Sequence, residues 1–322
     1  MVKVQSFISG AISYLPGGNR WLFERRKRKR KVAGTLNARY CYSVWLRHLC
    51  MANRHRAVEG VPRAVAELGP GNSLGSGIAA LLSGVETCYA FDLVDHTANE
   101  NNLRIFERLV ALFRDRRDIP DSKEFPQIMT ELDSYAFPAD ILTNEVLAAS
   151  LADERVAAIE QDLRHIGDRN WVPKHITYVV PWNSAEVIRP ESIDMLFSMS
   201  VLEHVDDLDG TYRAMSRWLK RGGFMSHEID FKCHGHANKW NGHWACSDLA
   251  WRMIRGNRPF LLNREPHSTH LRLLEENGFE VVADIQKTAR SGIRREELAP
   301  RFRNMSDDDL NTYNAFILSR KP

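Results

Sequence analysis

The sequence predicts an α/β protein built on a doubly wound, mostly parallel sheet of about seven strands. From residue 61 onwards, short apolar segments alternate with amphipathic helical segments, and the first apolar segment ends in a glycine-rich turn. Residues 1–60 predict an N-terminal helical and basic segment. Residues 115–173 predict a helical insertion or lid before the third strand, because this stretch is too long for a plain connection. The main domain then covers residues 61–322.

Each predicted strand is a short run of apolar residues that ends at a turn or at a polar side chain. In chain order these runs are 64–68, 87–94, 175–180, 192–201, 224–230, a segment that follows Phe279, and 314–320. Helices are predicted over 76–84, 99–114 and 207–220, and near 144–165. In a Rossmann-like sheet of this kind ligands bind at the carboxyl ends of the strands. The residues that end the strands are therefore the first candidates for a functional site.

The charge distribution argues against a nucleic-acid partner. The net charge is +3, but residues 25–31, RRKRKRK, carry seven positive charges, so the remainder has a net charge of −4. A body with this balance is not a broadly basic nucleic-acid binder. The five cysteines form no C-x-x-C pair, and their odd number does not suggest a disulfide framework. We therefore expect reduced cysteines in a cytoplasmic protein.

The N-terminal segment has two interpretations. Phe7, Ile8, Ala11, Ile12 and Leu15 share one helical stripe, and the basic run 25–31 follows it. Together, residues 1–31 fit a peripheral contact with an acidic membrane face. The alternative is a helix that packs on the domain beside a solvated charge run, and this alternative is preferred. No apolar run is long enough to span a bilayer.

The glycine-rich turn, ELGPGNSLGSG at 67–77, is compatible with three kinds of site. A serine-hydrolase elbow at Ser73 is disfavoured, because no strand or oxyanion loop precedes residue 61. A dinucleotide loop is weakened by Leu74, which stands where a third glycine is needed, although Asp92 follows at a suitable spacing. A loop for S-adenosylmethionine fits best. Gly69 and Gly71 allow close backbone approach, and the Asp92 carboxylate suits two ribose hydroxyls.

Five motifs in the correct order resemble class I S-adenosylmethionine-dependent methyltransferases. These are Glu67–Gly71 after the first strand, Asp92 after the second, Asn183-Ser184 after the third, SIDMLFSMSVLEHVDDL at 192–208, and WLKRGGFM at 218–225. The resemblance covers residues 61–320 and extends more loosely to enzymes of bacterial surface-polysaccharide pathways. The motifs of nucleobase methyltransferases, such as N-P-P-Y, are absent from the sequence.

The resemblance implies S-adenosylmethionine as the cofactor and a set of residues that bind it. This set is Glu67, Gly69, Gly71, Asn72, Ser73, Asp92, Leu93, Asn183, Ser184 and Ser198. The family often has aspartate at the position of Asn183, which makes the adenine contact there the least secure.

Histidines and tryptophans concentrate just after the fifth predicted strand, in SHEIDFKCHGHANKWNGHW at 226–244. A hydroxyl acceptor must lose its proton, and histidine suits a general base near neutral pH. Candidates for this base are His204, His227, His234 and His243, with His227 and His234 preferred. Trp240, Trp244, Asn263 and Arg264 are the candidates for acceptor binding. This combination of aromatic and hydrogen-bonding side chains favours oxygen methylation of a sugar or glycan precursor.

Three alternatives remain open. Glu203-His204 resembles the second half of an E-x-x-E-H metal site, but Ser200 occupies its first position, so no metal is expected. The chain could instead be a membrane-associated scaffold that binds S-adenosylmethionine in polysaccharide assembly. The third alternative is an NAD-binding oxidoreductase.

Overall fold

The computed structural model describes residues 2–22, 34–95, 99–182 and 184–322. Its strands are β1 (Ala64–Leu68), β2 (Thr87–Phe91), β3 (Ile176–Val179), β4 (Ile193–Met199), β5 (Leu219–Asp230), β6 (Glu280–Thr288) and β7 (Thr312–Arg320). They form one sheet in the order β3-β2-β1-β4-β5-β7-β6. Adjacent strands are parallel except where β7 pairs antiparallel with β5 and β6. The predicted doubly wound, mostly parallel sheet of seven strands is confirmed.

Helices cover both faces of the sheet. They are α1 (Val4–Ile12), α2 (Ala38–Arg54), α3 (Gly75–Leu82), α4 (Asn99–Arg114), α5 (Asn144–Ser150), α6 (Asp153–Arg164), α7 (Leu208–Trp218), α8 (Asp248–Arg255), α9 (His267–Glu276) and α10 (Asp307–Asn311). One apolar core lies between the sheet and α2, α3, α4 and α6. A second core lies under α7 and α9 on the opposite face. The two cores hold the sheet rigid between them.

Helix α2 belongs to the first of these cores, although it precedes the first strand. Its N-terminus is capped by the side chain of Asn37, which accepts a hydrogen bond from the backbone N–H of Arg39. Tyr42 and Trp45 are fully buried, and the Trp45 indole donates to Ser83 Oγ of α3's C-cap at 2.8 Å. The predicted N-terminal helical segment therefore continues directly into the core. The domain boundary at residue 60 stays a prediction.

The insertion before β3 is fastened to the carboxyl edge of the sheet by two buried charged side chains. Arg47 of α2 donates from its guanidinium to the backbone carbonyls of Pro120 and Thr130. Glu228 of β5 accepts from the backbone N–H groups of Met129 and Thr130, at 2.9 and 2.8 Å. Burial would penalise either charge if it were left unpaired. The segment around residues 120–130 is thus a fixed cover over the ends of β4 and β5.

Helix α1 packs on α8, with Phe7 half-buried against a small core that contains Trp251 and Ile254, but part of its apolar surface is exposed. Its buried residues are the small ones, Ser6 and Gly10, and a Cβ at Gly10 would lie 2.0 Å from the carbonyl oxygen of Met253 in α8. The apolar residues Val4 and Ile8 face solvent instead. The basic run 25–31 lies outside the described residues. Among the helices that the structure describes, none has the length and apolarity needed to cross a membrane.

Candidate donor and acceptor site

The glycine loop after β1 has a backbone that only glycine adopts without strain. Gly69 and Gly71 have φ values of 65° and 74°, in the left-handed region. A Cβ at Gly69 would lie 2.6 Å from Cγ2 of Val201, which follows β4. The backbone of the loop therefore packs directly against the Val201 side chain, and both Gly69 and Val201 line the cavity described below.

Glu67 supports the loop from below. Its side chain is buried, and Oε2 accepts from the backbone N–H of Gly77 in α3 at 3.1 Å. Burial raises the pKa of Glu67 to about 8, although the hydrogen bonds from Ser76 and Gly77 lower it in part. The carboxyl group fixes the turn between β1 and α3 and does not line the cavity described below. A direct contact of Glu67 with a cofactor, which the sequence predicts, is not supported by this position.

A segment from before α2 closes over the outer side of the loop. The Thr35 hydroxyl accepts from the backbone N–H of Asn72 at 2.9 Å, and the Ser73 hydroxyl donates to the Thr35 carbonyl. A Cβ at Gly71 would lie 3.2 Å from Thr35 Oγ1. Asn72 and Ser73, both predicted to bind the cofactor, are thus held by Thr35. Sequence reasoning missed Thr35, because nothing local links it to a loop about 37 residues further along the chain.

A cavity of about 240 Å³, called the donor cavity below, opens where the carboxyl ends of β1, β2 and β4 meet. Its lining is Leu68, Gly69, Phe91, Asp92, Leu93, Trp182, Ser200, Val201, His204, Val205 and Phe260. The Asp92 carboxylate accepts from the backbone N–H of Leu93 at 2.7 Å, which fixes one of its oxygens. The predicted loop glycine Gly69, the predicted ribose carboxylate Asp92 and one predicted base, His204, line the same space. These residues fit a nucleoside with a short polar tail.

A second cavity of about 600 Å³ adjoins the first and shares Leu93, Trp182, Val205 and Phe260 with it. Ser184 lines this second cavity, while Asn183 lies outside the described residues. Leu93 and Ser184 thus flank Asp92 on the side where the sequence predicts the adenine contact. The contact itself stays a prediction.

Ser198 does not line the donor cavity, contrary to the sequence prediction. Its side chain is fully buried in β4, and its hydroxyl lies 2.7 Å from Nδ1 of His227. The backbone leaves the extended conformation at Ser200, where φ is 53°, and Ser200 lines the cavity in place of Ser198. Ser200, which directly follows β4, therefore lies where the sequence predicts Ser198.

The four candidate bases occupy two different environments. His204 is partly buried and lines the donor cavity, and His234 is exposed, with the two ring centroids 5.1 Å apart. His204 Nδ1 lies 2.9 Å from the carbonyl oxygen of Phe260. Because a carbonyl only accepts, Nδ1 carries the proton and Nε2 is the basic nitrogen. His204 therefore has the geometry of a general base.

His227 and His243 are unsuited to the role of base that the sequence predicts for them. Both rings are almost completely buried and lie outside both cavities described above. Burial lowers the pKa of each to about 3, with His48 adding to the effect at His227 and Arg264 at His243. Such rings stay neutral at physiological pH. Since they lie away from the donor cavity, they cannot take a proton from an acceptor there.

The four residues predicted to bind the acceptor all make contacts within the fold, and their role in acceptor binding stays a prediction. Trp244 is fully buried and donates to the carbonyl of Arg264, so no face of its ring is open to a sugar. Trp240 packs edge-on against Trp244 with ring centroids 6.1 Å apart. The buried Arg264 guanidinium donates to the Cys246 carbonyl and pairs with Asp248. These contacts fold the segment after β5 back onto the second core.

Asn263 holds the turn that carries His204. Its side-chain amide donates to the carbonyls of Leu202 and Val205, at 2.8 and 2.9 Å. Its backbone N–H donates to the Glu203 carbonyl at 2.9 Å. Three hydrogen bonds to one turn make Asn263 a positioning residue for His204.

Glu203 is the most unusual charged group near the cavity. Its side chain is only 3% exposed, and neither carboxylate oxygen has a hydrogen-bond partner among the described residues. Burial raises the pKa of Glu203 well above its usual range, and the negative charge of Asp230 raises it further, while the backbone N–H groups of Glu203 and Asp230 offset only part of this effect. One donor atom each from Glu203, His204 and His234 lie within 4.8 Å of one another. This group is called the Glu203 cluster below.

Residues 139–226 match the model of a methyltransferase domain family. The matched segment runs from the insertion through β3 and β4 into β5, and so includes Glu203 and His204. It does not include the glycine loop. The match supports the predictions of a methyltransferase and of S-adenosylmethionine as its cofactor. The type of acceptor and the pathway are not addressed by it.

Solved structures of methyltransferases resemble the chain only distantly. Phosphoethanolamine N-methyltransferase 2 of Haemonchus contortus, in complex with phosphomonomethylethanolamine and S-adenosylhomocysteine, is 17% identical, with a TM-score of 0.42 over 86% of this chain and 53% of that one. An S-adenosylmethionine-dependent methyltransferase of Mesorhizobium loti is 13% identical, with a TM-score of 0.39 over 83% of this chain and 95% of that one. The search of curated proteins gave no match.

Proposed function

We propose that the protein transfers a methyl group from S-adenosylmethionine to a hydroxyl group of a sugar or glycan precursor. The observation that carries this proposal is the donor cavity, in which Gly69, Asp92 and His204 converge from three different strand ends. S-Adenosylmethionine supplies an electrophilic methyl group on a sulfonium sulfur. The glycine loop gives it backbone contact without side-chain obstruction, and Asp92 accepts hydrogen bonds from the ribose.

The acceptor side of the cavity favours a hydroxyl nucleophile. A hydroxyl is a poor nucleophile until it loses its proton, and His204 presents Nε2 as the group that takes it. The methyl group passes from sulfur to oxygen, the hydroxyl proton passes to His204, and S-adenosylhomocysteine leaves. The Ser200 hydroxyl lines the same cavity, and the exposed imidazole of His234 lies beside that of His204. The hydrogen-bonding capacity of these two groups supports a polyhydroxylated acceptor.

Calorimetry tests the donor half of this proposal. The protein is expected to bind S-adenosylhomocysteine with one site per chain and to show no heat with NAD, because Leu74 fills the place of the third dinucleotide glycine. Incubation with S-adenosylmethionine and fractionated cell metabolites is expected to produce a hydroxyl compound heavier by one methyl group. Binding of NAD without S-adenosylhomocysteine would replace this proposal with the oxidoreductase alternative.

A second candidate function, attachment to an anionic membrane surface, is favoured by the orientation of α1. A surface helix normally buries its apolar stripe and exposes its polar one. Here Ser6 and Gly10 are buried, whereas Val4 and Ile8 are 72% and 53% exposed. Met253 of α8, adjacent to Gly10, is 57% exposed as well. Val4 and Ile8 lie one helical turn apart on one face of α1, and the apolar surface that they form is called the α1 surface.

The charges around the α1 surface favour lipid as its occupant. Lys3, Arg20 and Arg252 are exposed on the same elements or directly beside them. In the sequence, the run 25–31 adds seven further positive charges shortly after Trp21. Apolar side chains combined with clustered basic residues bind acidic lipid surfaces cooperatively. Such attachment fits either an enzyme that acts on membrane-bound glycan precursors or a scaffold in polysaccharide assembly.

Vesicle sedimentation tests this second candidate. The protein is expected to sediment with vesicles that contain phosphatidylglycerol, less at high salt, and not with neutral vesicles. The double variant Val4→Ser/Ile8→Ser is expected to lose most of this binding. Val172→Ser is the matched control, because Val172 is an exposed apolar residue outside the α1 surface. Sedimentation of the double variant equal to that of the wild type would exclude the α1 surface as the contact.

A further inference from the structure

We propose that the Glu203 cluster, formed by Glu203, His204 and His234, binds one divalent metal ion of the first transition series at the edge of the donor cavity. Binding of the metal follows from the residues themselves, while its use in catalysis rests on the proposed function. The two histidines come from different parts of the chain. His204 lies in the turn after β4, and His234 lies in the loop after β5.

The buried carboxylate is the first observation that supports a metal. Glu203 is nearly inaccessible to solvent, and both of its oxygens lack a hydrogen-bond donor in the described part of the chain. Asp230 and Glu228 add negative charge nearby. A buried carboxylate without a donor is costly, and a cation bound by one of its oxygens lowers that cost. Histidine nitrogens are the other donors within reach.

The second observation is the hydrogen bonding of the two histidines. A histidine that binds a metal usually donates its other ring N–H to a carbonyl or carboxylate, which fixes the ring. His204 Nδ1 donates to the Phe260 carbonyl at 2.9 Å. His234 Nε2 lies 3.3 Å from Oδ2 of Asp230. One nitrogen of each imidazole is therefore held by a group outside the Glu203 cluster.

The donor set indicates the kind of metal. Two imidazole nitrogens and one carboxylate oxygen suit Zn²⁺, Mn²⁺ or a similar first-row ion better than Ca²⁺ or Mg²⁺. Metal bonds of about 2.1 Å place ligand atoms roughly 3–3.5 Å apart. The donor atoms now lie within 4.8 Å of one another, and the exposed His234 side chain can rotate to close this gap. A metal here would lower the pKa of an acceptor hydroxyl, and His204, as a metal ligand, would then no longer take the hydroxyl proton, which would pass to solvent.

Metal titration of the chelator-treated protein, without any cofactor, tests the proposal. Calorimetry with Mn²⁺ and with Zn²⁺ is expected to show one site per chain. Glu203→Gln and His234→Ala are each expected to weaken binding at least about 100-fold, because loss of a ligand exceeds the 10–100-fold effect of losing an outer partner. His165→Ala is the matched control, since His165 is a half-buried histidine, stacked on Trp171, outside the Glu203 cluster.

S-Adenosylhomocysteine binding, measured on the same samples, separates this proposal from the proposed function. Variants that bind S-adenosylhomocysteine normally but have lost the metal support the site and show that they are folded. Wild-type protein that binds S-adenosylhomocysteine but neither metal overturns the metal site and leaves the proposed function intact. Metal affinity that is unchanged in Glu203→Gln overturns it as well. Metal binding without S-adenosylhomocysteine binding overturns the proposed function alone.

Discussion

Replacing Asp92 with alanine is expected to weaken S-adenosylhomocysteine binding by at least about 100-fold. The Asp92 side chain lines the donor cavity at the end of β2, across from Gly69. Two hydrogen bonds from ribose hydroxyls to a carboxylate contribute about 1.5–3 kcal/mol each, and 1.4 kcal/mol corresponds to a tenfold change in affinity. Isothermal titration calorimetry measures the loss directly.

Asp95→Ala is the matched control for this experiment. It removes the same charge three residues further along the chain, at an exposed position that does not line the donor cavity. The affinity of this control is expected to stay within about threefold of the wild type, because long-range charge effects are screened by salt. If Asp92→Ala retained the affinity of the control, the assignment of Asp92 to the ribose would be wrong.

Replacing His204 with alanine is expected to reduce turnover by about 10²–10⁴-fold, the usual effect of losing a general base. The affinity for S-adenosylhomocysteine is expected to change only a few-fold, because the glycine loop and Asp92 remain in place. Turnover is measured as the rate of S-adenosylhomocysteine release. The acceptor in this assay is the compound identified by its gain of one methyl group in mass. The same loss is expected if His204 acts as a metal ligand, and the metal titration distinguishes the two roles.

The variant His227→Gln serves as the comparison for His204→Ala, because it changes a buried histidine outside the donor cavity. Because the His227 ring is buried against Ser198, this variant is expected to lower the midpoint of thermal unfolding and to leave turnover per folded molecule nearly unchanged. A large loss of turnover in His227→Gln, with normal turnover in His204→Ala, would restore the base preference that the sequence alone indicates.

The strands and the donor loop were predictable because their signals are local. An apolar run followed by Gly69 and Gly71 specifies a tight turn, and the order of strands and helices then specifies a doubly wound sheet. Asp92 could be found because it ends the next strand. Only chain order and strand ends were needed for these residues, so their convergence on one cavity follows from topology.

The acceptor side was harder to predict because its contacts are long-range. Trp244 and Arg264 look like surface residues of a polar loop, but the loop folds back and buries both side chains. Phe260 and Asn263 fix the His204 turn from a position some 60 residues further along the chain. No local pattern distinguishes a histidine held in this way from one buried in the core, such as His227.

The contact between Thr35 and the glycine loop has a thermodynamic consequence. Because Thr35 bonds to Asn72 and Ser73, the residues before α2 and the loop that faces the donor cannot be ordered independently. A ligand that orders the loop lowers the entropy cost of ordering Thr35. Any contact that orders Thr35 stabilises the ordered loop by the same coupling free energy. Linkage of this kind is reciprocal. Ordering of the residues around Thr35 therefore raises the affinity of the cavity for its ligand, and ligand binding favours the ordering of these residues by the same factor.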